Sequence, residues 1–117
     1  MKIQITDLRE KIIAKLKNMN DTDRAVIADY LVWAEMSGIH TQGIIKMAGK
    51  EPVQNIIPEH EIKIIRETPV SAVLNAGGNP GISTCARAAD IAIDKAKASG
   101  IAIVGGRNIF SSNGAQA

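Results

Sequence analysis

At 117 residues, with 45% apolar and 22% charged side chains and a formal net charge of +2, the chain has the size and balance of one small globular unit. So slight a charge, with Lys and Arg interspersed among Asp and Glu, argues against a nucleic-acid partner, and no run approaches the ~18 apolar residues that a membrane-crossing helix needs. Three aromatics (Tyr30, Trp33 and Phe110) leave the core to aliphatic side chains, and a single cysteine, Cys85, rules out an internal disulfide and fits a reducing, cytoplasmic setting.

Residues 1–7 carry no apolar stretch of the kind that a secretion signal needs. Thr6 or Asp7 is placed to cap a first helix, in which Leu8, Ile12, Ile13 and Leu16 recur at spacings of three and four and so share a face. Lys11, Lys15 and Lys17 fall outside that stripe and read as a solvated surface. The polar run 18–20 ends the helix. Asn20 or Asp21 can cap a second one, where Asp21 and Asp23 suit the positive end of the helix dipole. Its apolar stripe is Val26, Ile27, Tyr30, Leu31 and Ala34, and Ser37-Gly38 is a stop signal.

Beyond this hairpin, residues 38–43 are expected to form a loop, either between helices or opening a third. Pro52 and Pro58 mark irregular chain. Ile62 to Arg66 and Ser71 to Asn75 read as two strands joined at Thr68-Pro69, paired antiparallel. The glycine-rich turn Gly77-Gly78-Asn79-Pro80-Gly81 then leads into an Ala-rich helix over 82–99, with Ala86, Ala89, Ala92, Ile93 and Ala96 on its inner face and Gly100 at its C-terminal cap. Ile101 to Val104 is short and wholly apolar, the signature of a buried strand, so 71–104 forms a βαβ-like unit. Ser111, Ser112 and Asn113 are good capping residues before Gly114 to Ala117, which suggests a fragment that stops one turn into a further helix.

Several motifs have a plain structural reading beside a chemical one. The turn at 77–81 lies between strand and helix, where phosphates bind, but its spacing is G-G-x-x-G with no P-loop lysine, which favours a structural turn over a dinucleotide site of the Rossmann kind. His40 and His60 stand 20 residues apart without ligand spacing, so no metal site is expected, and an isolated loop histidine ordinarily faces solvent. Cys85 sits on the Ala-rich helix as a small packing residue. Two polar loops, Ile39 to Lys46 and Arg107 to Gly114, are the best candidates for chemistry, since both precede expected helix starts, which favour anionic groups such as carboxylates.

Taken in order, four segments resemble the type-2 malate/L-lactate dehydrogenase family over essentially the whole chain. Ala34-Glu35-Met36-Ser37-Gly38-Ile39-His40-Thr41-Gln42-Gly43 is similar to the family's A-x-x-R-G-x-x-S-H-G. Arg66-Glu67-Thr68-Pro69 matches its R-E-T-P turn. The helix with Ala88, Ile91, Ala92, Ala96 and Gly100 matches the next segment, and Val104-Gly105-Gly106-Arg107-Asn108 matches V-x-x-R-N. The resemblance implies a non-Rossmann α/β fold of which 1–117 is a single N-terminal domain fragment: a helical hairpin over 1–43 and an α/β part over 60–117, without the nicotinamide-binding domain.

The resemblance further implies an oxidoreductase that interconverts a 2-oxoacid and a 2-hydroxyacid with NAD or NADP. It implies a cytoplasmic homodimer with no nucleic-acid or membrane partner. Thr41, Gln42 and Ser111 fall at or beside the family's catalytic positions, and Lys46, Arg107 and Asn113 are the expected substrate contacts. The departures are specific. Gln42 stands where the family has the histidine that protonates the carbonyl oxygen, and glutamine donates a hydrogen bond but delivers no proton. Lys46 stands where an arginine often holds the substrate carboxylate, keeping the charge without the planar fork. Ser37 replaces the motif's arginine, and Ser111 occupies the second histidine position. These losses leave open an alternative, a non-catalytic module that binds small carboxylates or serves assembly. A third reading, a Rossmann-type nucleotide binder, would rest on 77–81.

Overall fold

The computed structural model describes residues 2–48 and 51–110. It contains three α-helices, three short 3-10 turns and one three-stranded sheet, divided between two compact units: one through Ile57 and one from Pro58 onward. No helix among these residues is long and apolar enough to cross a membrane.

The first unit is a helical hairpin of α1 (Ile5–Lys15) and α2 (Asp21–Met36). Helix α1 starts before the expected cap: Gln4 holds the N-cap position without a side-chain bond, while Asp7 lies in the first turn, where its charge suits the dipole. Of its apolar stripe, Ile12 and the following Leu16 are buried. Helix α2 is capped as its sequence directs, with the Asn20 Oδ1 accepting the Asp23 N–H at 2.8 Å. Burial goes further round α2 than one stripe. Ile27, Tyr30, Leu31 and Ala34 are buried together with Ala28 and Val32. Arg24 spans the hairpin by donating from Nε and Nη2 to the Ile13 carbonyl, and Arg9 pairs with Asp29 at 2.5 Å. The helix stops at Gly38, whose φ of +79° is the left-handed conformation that the Ser37-Gly38 signal called for. The Asn18 side-chain amide donates to the carbonyls of Gln54 and Ile56, placing buried Val53 and Ile56 beside the hairpin.

The second unit is built on β1 (Lys63–Thr68), β2 (Ser71–Asn75), α3 (Gly81–Ser99) and β3 (Ile103–Arg107). Strand β1 pairs antiparallel with β2, with a bulge between Ile64 and Arg66, and β2 pairs parallel with β3 across the α3 crossover. The sheet order is β1-β2-β3, and the βαβ-like unit read from the sequence is present. Facing residues on paired strands share a side, so Ala72, Leu74, Val104 and Gly106 form one face. Helix α3 covers that face: a Cβ on Gly106 would stand 3.7 Å from the Thr84 methyl, whereas one on Gly105, on the other face, meets nothing within 4 Å.

Two expectations fail here for one reason. The strand after α3 begins at Ile103 instead of Ile101 and is not buried, with Ile101 65% and Ile103 71% exposed. Within α3 the burial lies at the N-terminal turn, on Ile82, Ser83 and Thr84, while Ala89 and Ile93 of the expected inner stripe are exposed. One helix on a three-stranded sheet covers a single face near β2. An apolar run signals what a strand can bury, and here only β2 has neighbours on both edges.

Candidate functional site

The first candidate loop rises directly from the end of α2. It forms two 3-10 turns, His40–Gln42 and Ile44–Met47, instead of opening an α-helix. Turns of three and four residues present no helix macrodipole, so any anion held here is held by side chains. The expectation that helix-start N–H groups serve this loop is therefore corrected.

What fixes the loop is Glu35, in the last turn of α2. One carboxylate oxygen is hydrogen-bonded to the His40 Nδ1, and the other accepts the Ile44 N–H at 3.1 Å. The His40 bond, then the Ile44 bond, hold the Glu35 carboxyl below its ordinary protonation range. Gly43 lies against the same residue: a Cβ there would come within 2.8 Å of the Glu35 Oε1 and 3.1 Å of its backbone nitrogen. Only glycine permits that approach, which explains the glycine that closes the Thr41-Gln42-Gly43 motif.

Thr41, Gln42 and Lys46, all expected from sequence, share these two turns. Thr41 is exposed. Gln42 is half-buried, and its Oε1 is fully buried without a hydrogen-bond partner among the described residues. Buried polar atoms are ordinarily paired, so this carboxamide holds unused bonding capacity. Lys46 is half-buried with its ammonium group unpaired among the described residues, and its backbone N–H donates to the Gly43 carbonyl at 3.0 Å.

The second loop follows β3 in the other unit. Arg107 ends β3 opposite Asn75, and its carbonyl accepts the Ala76 N–H at 2.9 Å while its side chain is exposed. Asn108 takes a left-handed φ of +56°, a conformation that asparagine tolerates, and its amide donates to the Asn75 Oδ1 at 3.0 Å. Ser111 and Asn113, and the expected helix start at 114–117, lie outside the described residues.

The glycine turn before α3 does not fit a nucleotide phosphate. A phosphate cradle needs free backbone N–H groups. Here Gly77 donates to the Asn75 Oδ1, Gly78 to the Asn108 carbonyl, Asn79 to Ala76 and Gly81 to Phe110, while Pro80 has no N–H. The His60 ring stands 2.6 Å from where a Gly77 Cβ would be, and the Asn79 side chain donates to the His60 and Ala76 carbonyls. The glycines let the chain pack on itself, and the Rossmann-type reading is dropped.

Comparison with known proteins agrees with this arrangement. The profile of the malate/L-lactate dehydrogenase family matches residues 3–115. The chain belongs to that family. Among curated relatives, the L-sulfolactate dehydrogenase of Methanocaldococcus jannaschii is 32% identical over 109 residues, covering 86% of this chain and 30% of the relative. The malate dehydrogenase of Pyrococcus abyssi is 33% identical over 103 residues, covering 84% of this chain and 28% of the relative. The chain thus spans under a third of these relatives' length. Of solved structures, the Methanocaldococcus jannaschii sulfolactate dehydrogenase superposes with a TM-score of 0.80 at 30% identity over 93% of this chain and 33% of that one. The Pyrococcus horikoshii malate dehydrogenase superposes with a TM-score of 0.77 at 27% identity, covering 95% and 33%.

Sequence reasoning named Thr41, Gln42 and Lys46 and expected a solvent-facing His40, which is 72% exposed, but missed Glu35 and its bond to that histidine. A signal for Glu35 was present. A carboxylate in the last turn of a helix faces the negative end of the dipole, and α2 has no basic residue there to offset it. An acid kept in an unfavourable place has a partner elsewhere.

Proposed function

We propose that this chain forms the N-terminal, substrate-side portion of an oxidoreductase that interconverts a 2-oxoacid and a 2-hydroxyacid, with NAD or NADP as the redox partner. The relatives are malate and sulfolactate dehydrogenases, whose names specify 2-hydroxyacid substrates. The observation that carries the reading in this chain is the buried Gln42 Oε1 without a hydrogen-bond partner, on a loop that also carries the Lys46 ammonium, unpaired among the described residues.

The two groups suit the two ends of such a substrate. Lys46 offers a positive point charge to the C1 carboxylate. The Gln42 carboxamide can donate from Nε2 to a 2-oxo oxygen or, turned over, accept at Oε1 from a 2-hydroxyl group, so one side chain serves both oxidation states. It polarises the oxygen without supplying a proton, and the acid-base group must then be another residue. Thr41 is proposed as a second hydroxyl donor, and Ser111, Arg107 and Asn113 as the polar groups of the second loop. The N–H groups of the glycine turn are spent within the chain, so the cofactor's phosphates would be held by other residues. Its binding, like a homodimeric cytoplasmic form, belongs to the same reading and rests on the family alone.

The test is oxidation of NADH and NADPH by the full-length gene product against a panel of 2-oxoacids, repeated with Lys46→Ala and Gln42→Ala. Removing Lys46 should raise KM at least about tenfold, the effect of losing one hydrogen bond to a charged group. Gln42→Ala should lower kcat more than it alters KM. Folded protein that turns over no member of the panel would overturn the enzyme reading in favour of a carboxylate-binding or assembly module.

A further inference from the structure

We propose that Glu35 is the positioning residue of the substrate loop, a bidentate anchor that ties both 3-10 turns to the end of α2 and so sets how Gln42 and Lys46 are presented. The inference rests on the reading of that loop as the substrate-binding element. Its geometric basis stands apart from that reading.

Three features converge on one carboxylate. Glu35 reaches forward five residues to the His40 Nδ1, in the first turn, and nine residues to the Ile44 N–H, which opens the second. Between those two points lies Gly43, whose missing side chain lets the loop backbone close onto the carboxylate and the α2 backbone. Between its ends the segment's backbone bonds are local: Gln42 to Ile39, Gly43 to His40, Lys46 to Gly43 and Ala48 to Ile45; at its ends the Ile39 N–H donates to the Ala34 carbonyl of α2 and the Met47 carbonyl accepts from the Gln54 Nε2. Such i→i+3 bonds define a turn but do not fix it to anything else. Glu35 supplies the attachment in the middle of the loop, on either side of Gln42. The Glu35 side chain is 28% exposed and that of its partner His40 is 72% exposed, so the carboxylate is the more sheltered member of the pair. The elements packed on this turn bring one further charged group close in sequence, Lys46 on the second turn.

This arrangement accounts for an otherwise costly choice. A glutamate in the last turn of α2 opposes the helix dipole, and hydrogen bonds to a charged acceptor are strong enough to outweigh that. Among the described residues Glu35 forms no hydrogen bond or ion pair with either of the proposed substrate-binding side chains. It acts through the loop backbone, on one side of Gln42 through His40 and on the other through Ile44.

The experiment compares the full-length protein with Glu35→Ala and Glu35→Gln. It uses hydrogen-deuterium exchange of the peptide spanning residues 39–48 and calorimetric titration with oxamate, an unreactive 2-oxoacid mimic. Glu35→Ala should speed exchange in that peptide by roughly tenfold, with exchange in the rest of α2 unchanged, as expected when one charge-assisted bond is lost locally. Glu35→Gln is nearly isosteric, folds on size grounds and retains an acceptor for Ile44, so it should restore much of the protection. Oxamate affinity should fall in the same order. Unchanged exchange in both variants would overturn the anchor, and so would acceleration spread evenly over the whole chain, which marks a global folding role. If wild-type protein binds no oxamate while Glu35→Ala still loosens residues 39–48 alone, the anchor holds and the substrate reading fails.

Discussion

Helix α2 buries seven of its sixteen residues, whereas β1 buries none of its six and β3 leaves Ile103 71% exposed. Both stretches are rich in aliphatic side chains, so composition does not separate them. Surroundings do. Helix α2 meets α1 and the two 3-10 turns that follow it, and much of its burial is met there. The sheet has one helix on one face and free outer edges on β1 and β3 among the described residues. Stability should therefore be concentrated in the helical unit, and substitutions can probe that contrast directly.

The largest effect is expected at Leu31, which is fully buried in α2. Leu31→Ala removes three side-chain carbons from a packed site and should cost ~2–5 kcal/mol in urea unfolding. Ile103→Ala removes as much from an exposed strand and should stay within about 0.5 kcal/mol. Comparable losses at both positions would break the contrast and show that the outer strand is covered in solution.

A smaller loss, ~1–3 kcal/mol, is expected for Gly77→Ala. Its φ is +57°, and a Cβ would come within 2.6 Å of the His60 ring and 2.7 Å of the His60 carbonyl, which is backbone and cannot swing aside. The same turn was read from sequence as structural, and its spent N–H groups explain why. Adding phosphate should not stabilise wild-type protein in a thermal melt. A phosphate-dependent rise in Tm that Gly77→Ala abolishes would restore the nucleotide reading.

How far the fold was legible follows from this difference in surroundings. The hairpin was readable because its signals are local: the Asn20 cap, the 3.6-residue stripe and the Gly38 stop all act within a few residues. Strand pairing of 71–75 and the βαβ crossover were readable for similar reasons. Burial of Ile101 to Val104 was misread, since a wholly apolar run cannot show how many neighbours the strand has. The loop was half legible. Thr41, Gln42 and Lys46 were visible through the resemblance, but Glu35 acts across five and nine residues through a carboxylate whose partners include a backbone N–H. No residue pattern records a backbone donor.

Next in size is Lys95, whose ammonium donates to the Thr68 carbonyl at 2.7 Å and pairs with Glu67 at 3.1 Å, tying α3 to the turn between β1 and β2. Lys95→Met keeps most of the aliphatic stem and loses both contacts. The expected cost is about 1 kcal/mol or less, because Glu67 is half-exposed and its share is screened. Urea unfolding in low and high salt separates the two parts: the ion pair weakens with salt, and the bond to the carbonyl does not. A loss several times larger would mean that this one lysine, and not burial against β2, holds the helix on the sheet.

The shallowest effect is expected in the pH dependence of the loop, and its sign is fixed by Glu35. Its protonation range lies below the ordinary value of 4.5, first because of the His40 bond and then because of the Ile44 N–H. The folded state therefore binds that proton less readily than the unfolded chain. Where the unfolded chain is more protonated, raising pH favours folding. The Glu35 contribution is thus fully present above pH 4.5 and is lost as pH falls through the lower, folded value. Glu35→Gln removes that titration. The stability of wild type and variant, followed from neutral pH down through the acid limb, should converge as pH falls, with the wild type losing its advantage below the ordinary carboxylate range. Parallel curves over the whole limb would show that folding leaves the carboxyl's protonation unshifted, and would remove the charge-assisted bond on which both the loop anchor and its contrast with the open sheet depend.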